Sequence, residues 1–285
     1  MLRDSSWKNN GKQRVMAIFS EPLLKKCIRL ACCTGAIFCF IAAPVLAQNT
    51  GVEQLKKEIL SDTAFLKQLS QKVVRDYLLE NPEILLEAQD VLNTRMEAQM
   101  RADQGRIIKE ERAKIFHAPD DAVFGNPKGD VTIVEFYDYN CGYCKKSFPT
   151  MQALIKKDPN LRFVMKDFPI LGQESADAHR VARAFQVVMP EKYLQFHEAM
   201  MRRPGRANAA SAIELALSLG ADKDKMNKAL ADKSLLQPFV TNGEVAYKLK
   251  VNATPAYIIG NQVVSGAVGT DALVKLIEQE RKRGQ

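Results

Sequence analysis

The run Val131-Thr132-Ile133-Val134-Glu135-Phe136-Tyr137-Asp138-Tyr139-Asn140-Cys141-Gly142-Tyr143-Cys144-Lys145 decides how this chain folds. Residues 131–137 are β-branched or aromatic apart from Glu135, and predict a strand. From the cysteines to about residue 157 the pattern predicts a helix, so a Cys-x-x-Cys pair stands where a strand hands over to a helix. That placement suits thiol chemistry. Residues three apart share a helix face with Cβ atoms about 5–6 Å apart, so a bridge can open and close with little movement. The unpaired N–H groups and positive dipole end of the helix stabilise a thiolate at the first cysteine. The thiolate, rather than the thiol, attacks in disulfide exchange. Cys141 is therefore expected to be the exposed nucleophile, and Cys144, one turn deeper, the resolving thiol.

A Cys-x-x-Cys can also be half of a zinc site, a copper site or a structural disulfide. Structural zinc usually takes four Cys or His ligands, and beyond residue 47 the chain adds only His117, His179 and His197, none three or four residues from another. A structural bridge between such close neighbours constrains the unfolded chain little. The competing function is copper handling, with a soft ion such as Cu(I) on the same two thiolates. Met96 with Met100, and Met200 with Met201, are expected to fill space in a core. His179 and His197 are expected to be ordinary surface or packing residues. No metal site and no cofactor is called for, because the cysteine pair carries the electrons itself.

Residues 1–47 have the pattern of an export signal: Lys25 and Lys26, an apolar stretch over 28–42, and Val45-Leu46-Ala47 as a small-residue cleavage site before Gln48. Arg29 and Pro44 interrupt a stretch that would need roughly 20 apolar residues to span a bilayer. The leader holds Cys27, Cys32, Cys33 and Cys39, so Cys141 and Cys144 are the cysteines expected in the mature chain. It also holds seven Lys or Arg against two Asp or Glu, so five of the eight net positive charges leave with it. What remains is too weakly basic for a nucleic-acid binder.

Residues 48–116 predict an N-terminal helical domain and linker. Leu55, Ile59 and Leu60 mark a short first helix, and Phe65, Leu66, Leu69, Val73, Val74, Tyr77 and Leu78 mark a second. Asn81 and Pro82 are expected to start a third, as cap and first residue. Residues 101–112 are charged enough to predict a solvated helix or linker. Such a segment makes a small core at best, so its apolar faces call for a partner, self-association over residues 52–112 being the sharper expectation. Residues 120–130, with Gly125, Pro127 and Gly129, predict a domain boundary. Over 117–285 the expected order is strand, helix, a strand at 161–168, a helical insertion at about 175–250, a hairpin at 256–259 and 262–265, and a last helix over 271–283 capped by Thr270 or Asp271.

The run from Val134 to Lys145, with Thr254-Pro255 downstream and the helical stretch between, resembles the DsbA family of bacterial periplasmic thioredoxin-fold proteins over roughly residues 123–280. Val74-Arg75-Asp76-Tyr77-Leu78-Leu79-Glu80-Asn81-Pro82-Glu83 is similar to the N-terminal domain of ScsC-like and Com1-like proteins. The resemblance implies an α/β, thioredoxin-like fold with a helical insertion, preceded by an all-α segment that assembles copies of the chain. It implies a buried acid at Glu135 that relays the proton of the resolving thiol, a cis-proline at Pro255 and a redox-tuning residue at Thr254. Gly142 and Tyr143 between the cysteines, with Thr254, lie on the isomerase side of that superfamily. It further implies the periplasm or envelope of a Gram-negative bacterium, unfolded or misfolded exported proteins as substrates, and a membrane redox partner that resets the cysteine pair.

Overall fold

The structure is a computed structural model that describes residues 45–284; the expected leader up to residue 44, with its four cysteines, lies outside them. The chain forms two compact units, Met1–Pro82 and Glu83–Gln285. The described part of the first holds α1 (Val45–Ser61) and α2 (Thr63–Glu80). Between them Asp62 caps α2, its carboxylate accepting the N–H groups of Ala64 at 3.1 Å and Phe65 at 2.9 Å. Asn81 closes the same helix, its backbone N–H and its side-chain amide both donating to the carbonyl of Tyr77 at 2.9 Å. This corrects the expectation that Asn81 and Pro82 open the next helix: the amide serves an orphan carbonyl as readily as an orphan N–H.

The second unit begins with α3 (Glu83–Glu110) and the short α4 (Arg112–Phe116). Then follow β1 (Ala122–Gly125), β2 (Val131–Tyr137), α5 (Gly142–Lys157) and β3 (Leu161–Asp167). Five α-helices separate β3 from the final hairpin: α6 (Gln173–Val188), α7 (Tyr193–Arg202), α8 (Ala209–Ser218), α9 (Lys223–Ala231) and α10 (Gln237–Lys248). The chain ends with β4 (Ala256–Ile259), β5 (Gln262–Ser265) and α11 (Thr270–Arg283).

The sheet order is β1-β3-β2-β4-β5, with β2 parallel to β3 and every other pair antiparallel. This is the thioredoxin-like α/β arrangement. Central β2 is buried on both faces. Ile133 and Tyr137 join one core with residues of α5, α6, α7 and α11, and Val134 and Phe136 join another with α4, α10 and the end of α3. A strand covered on both sides reads as a nearly continuous apolar run, as this one does.

Three details depart from the sequence expectation. The stretch taken as a domain boundary contains β1, a four-residue edge strand ending at Gly125, whose φ of 78° turns the chain away from β3. Residues 101–112 are not simply solvated, because Ile108 is buried and Gln104 donates to the carbonyl of Leu249 at 2.8 Å. In α11, Thr270 is already helical and Gly269 precedes it without a side-chain cap. Among the described residues no helix is long and apolar enough to cross a membrane.

Candidate active site: a thiol pair at the head of a helix

Beyond Tyr137 the chain must leave β2 and start α5 within four residues, and buried polar groups hold that turn. The carboxylate of Asp138, wholly buried, accepts the N–H of Asn140 at 2.7 Å and that of Leu171 at 3.0 Å, and its carbonyl accepts the N–H of Cys141 at 3.0 Å. Asn140 fixes the turn to the helical insertion, donating to the carbonyl of Ala207 at 2.9 Å and accepting its N–H at 2.6 Å. Lys145, one turn into α5, donates to the carbonyls of Arg203 at 2.9 Å and Gly205 at 3.0 Å. Cys141 thereby becomes the cap of α5, its sulfur accepting the N–H of Cys144 at 3.3 Å.

The two cysteines are unbridged, and their protons are held very unequally. Cys141 is pulled down to about 5, chiefly because the Cys144 thiol donates to its sulfur, with the Thr254 side chain and the backbone N–H groups of Cys144 and Tyr143 adding to the effect against the opposing burial. Cys144 is pushed far above the ordinary thiol value by the same hydrogen bond, then by burial and by the Glu135 carboxyl. Glu135 is buried in the middle of β2, opposite Tyr257 of β4. Burial first, and the neighbouring Cys141 charge second, raise Glu135 to about 8, so it holds a proton at neutral pH.

Thr254 and Pro255 stand across from the cysteines. The Cys141 sulfur lies 3.1 Å from the Thr254 carbonyl, and the Thr254–Pro255 peptide is cis. Cys141 is nevertheless only 5% exposed, which corrects the expectation of an open nucleophile: the Thr254 loop covers the sulfur. Gly142 and Tyr143 are the exposed residues of the motif, with the Lys146 ammonium 5.6 Å from the centre of the Tyr143 ring. The structure thus brings Cys141, Cys144 and Thr254 into contact, sets Glu135 within electrostatic reach of both sulfurs, and leaves Gly142 and Tyr143 facing solvent. Chemically this is an ionised nucleophile beside a protonated thiol and a neutral buried acid.

Residue spacing does not reveal the polar network that supports this site. His179 and His197 are completely buried. His179 accepts the N–H of Tyr139 on Nε2 at 3.1 Å, which places its proton on Nδ1, 2.7 Å from the carboxylate of Asp167. Asp167 also accepts the Tyr137 hydroxyl at 2.6 Å, and Nδ1 of His197 meets the Tyr139 hydroxyl at 3.1 Å. Burial lowers His197 to about 3, so it is neutral. Only the pairing of β2 with β3, which sets Tyr137 beside Asp167, could have hinted at the contact between those two residues.

Residues 132–278 match the family model of the DSBA-like thioredoxin domain, and residues 71–99 match that of the copper resistance protein ScsC N-terminal domain. A thioredoxin-like oxidoreductase from Silicibacter pomeroyi is 35% identical with a TM-score of 0.57, covering 60% of this chain and 98% of that one. The thiol-disulfide exchange protein alpha-DsbA2 from Wolbachia pipientis is 28% identical (TM-score 0.59), covering 64% and 97%. BcfH from Salmonella enterica Typhimurium is 25% identical (TM-score 0.66), covering 80% and 99%. Among curated relatives, the match to a Na(+)/H(+) antiporter NhaA of Salinispora arenicola spans only 24% of that protein, at 25% identity over 161 residues. With the thiol pair at the head of α5 and the matching sheet, the chain belongs to the DSBA-like thioredoxin-domain family.

Proposed function

We propose that this protein is an exported thiol:disulfide oxidoreductase that forms or reshuffles disulfides in envelope proteins. The observation that carries the proposal is the Cys141 sulfur at the head of α5, accepting the N–H of Cys144 at 3.3 Å, a setting that favours a thiolate there while its hydrogen bond and burial keep the proton on Cys144. In reshuffling, the Cys141 thiolate attacks a substrate disulfide, forming a mixed disulfide and releasing one substrate thiolate; that thiolate attacks a second substrate disulfide, and the thiolate freed there attacks the mixed disulfide, re-forming a substrate disulfide and releasing Cys141 as the thiolate. Cys144 provides the escape. Losing its proton to a neighbouring base, it attacks the Cys141 sulfur, releases the substrate as a thiolate and leaves the Cys141–Cys144 disulfide, so the substrate is reduced and the protein oxidised. In the forming direction a substrate thiolate attacks that bridge. Glu135 is suited to take that proton once the mixed disulfide has formed, because the Cys141 charge that helps burial keep the carboxyl protonated is then gone, and with it the sulfur that held the Cys144 proton.

Isomerisation is the favoured direction, because the Gly142-Tyr143 pair and Thr254 are joined to a helical segment suited to assembling copies of the chain. Leu60, Val73, Tyr77 and Leu79 are exposed in α1 and α2, as are Leu85, Leu86, Leu92 and Met96 in α3. We assign residues 48–116 to a helical domain and linker whose residues 52–112 carry self-association and residues 117–285 to thiol exchange, place the protein in the periplasm or envelope after removal of residues 1–47, and assign the resetting of the cysteine pair to a membrane redox partner. The competing reading is copper handling, with Cu(I) on the same two thiolates and both thiol protons released on binding.

The test is refolding of scrambled ribonuclease. Activity is expected from the wild type and lost in Cys141→Ala; full activity in that variant refutes the mechanism.

A further inference from the structure

The loop after α7 belongs to the insertion, yet it is fastened to the turn that carries Cys141 on both sides, through Asn140 to Ala207 and through Lys145 to Arg203 and Gly205. It lays the backbone of Arg203 and Gly205 against Lys145 on the first turn of α5, beside Lys146, and puts the Arg203 charge near the Lys145 ammonium, with Arg202 and Arg206 flanking it in the chain. The carboxylates beside these flanking arginines are spoken for: Glu198 pairs with Arg202 at 2.9 Å and Glu174 with Arg206 at 2.5 Å. Lys145, Lys146 and Arg203 have no carboxylate partner among the described residues. Lys145 rests on backbone carbonyls, and Lys146 lies over the exposed Tyr143 ring. Arg203 is half-buried, and its Nε is shielded from solvent without a hydrogen-bond acceptor. Shielded donors are normally satisfied, so this guanidinium is a donor set without its acceptor.

From this geometry we infer that the rim formed by Lys145, Lys146 and Arg203 selects protein substrates carrying Asp or Glu beside the reacting cysteine. This rests on the oxidoreductase function proposed above, whose substrate class it narrows. A peptide joined through its cysteine to the Cys141 sulfur lies alongside both anchor points of the loop. A carboxylate one or two residues from that cysteine meets a guanidinium able to bind it bidentately, and an ammonium held by an aromatic face. A flanking Lys or Arg meets like charge instead, and such juxtaposition is what discriminates between partners.

The test uses the reduced protein and two peptides that differ only in acidic or basic residues flanking one cysteine, that cysteine carrying a thiopyridyl group through a disulfide. Cys141 attacks the peptide sulfur and thiopyridone leaves; Cys144 then displaces the peptide thiol, so two protein thiols are oxidised as one disulfide is reduced. Thiopyridone release is expected to be faster for the acidic peptide by on the order of tenfold at low ionic strength. The ratio is expected to shrink as salt is added. It should fall close to one in the Lys146→Gln, Arg203→Gln double variant and largely survive in Arg203→Lys. Equal rates for the two peptides with the wild type, or an undiminished ratio in the double variant, overturn the inference. Release no faster than from Cys141→Ala with either peptide instead overturns the oxidoreductase proposal, and this inference with it.

Discussion

The Nδ1 proton of His179 is donated to the carboxylate of Asp167 at 2.7 Å, and the opposite nitrogen of the same ring accepts the backbone N–H of Tyr139, two residues before Cys141. One buried side chain from the insertion thus joins the end of β3 to the turn that carries the nucleophile. Replacing His179 by Ala orphans the Tyr139 amide and leaves the buried Asp167 carboxylate with the Tyr137 hydroxyl in place of two donors, and a buried group left without its partner costs about 1–3 kcal/mol. A lower urea midpoint is expected. Because the turn sets the N–H groups that face the sulfur, the Cys141 thiolate should also titrate at higher pH. An unchanged thiolate titration in a folded variant would show that the pair serves stability alone.

Glu135 and Cys141 give the reduced protein opposite dependences on pH. The folded carboxyl is raised to about 8, so the unfolded chain gives up this proton first and stability falls as pH rises from the ordinary carboxylate range towards 8. The folded thiol is lowered to about 5, so its contribution is full above the ordinary thiol range and is lost as pH falls towards 5. Between pH 5 and 8 the two offset each other. Measured as a difference from wild type, Glu135→Gln should gain stability as pH rises across that window, and Cys141→Ala should lose it. The gain in Glu135→Gln at the upper end is expected to be on the order of a few kcal/mol. Thermal unfolding at several pH values checks both signs.

Glu135→Gln should also slow resolution, since the variant lacks the group placed to take the Cys144 proton. Mixed disulfide with a model peptide is expected to accumulate, detectable by mass spectrometry after acid quench. Rapid clearance at the wild-type rate would remove Glu135 from the mechanism.

Self-association is tested by truncation, and the structure decides where to cut. Deleting residues 52–112 would strip Ile108 from the core of the second unit, whereas deleting 52–96 removes the exposed apolar residues of α1, α2 and the start of α3 and spares it. The shortened chain is expected to scatter light as a monomer and the wild type as an oligomer. The same mass per chain number in both would refute the assignment.

The elements written in strong local patterns were legible from the amino-acid sequence. Strand β2, helix α5 and the hairpin around Gly260-Asn261 follow from runs of β-branched residues, a helical stripe and a turn pair. The cysteine pair was legible because its chemistry depends on position within one helix turn. Strand β1 was hidden by its brevity and by the glycines and proline around it, and Ile108 by the charges flanking it. The network around His179 lay beyond reach for a different reason: Asp167, Tyr139 and His179 belong to three separate elements, and only the packed fold makes them neighbours.

Alkylation of the reduced protein across pH, with the modified residue located by mass spectrometry, tests the inequality of the two thiols. Iodoacetamide should label Cys141 first, with a rate that rises through a midpoint near pH 5 and is flat by neutral pH, while Cys144 stays unlabelled in the folded protein. A midpoint in the ordinary thiol range, or first labelling at Cys144, would contradict the assignment of Cys141 as the ionised nucleophile.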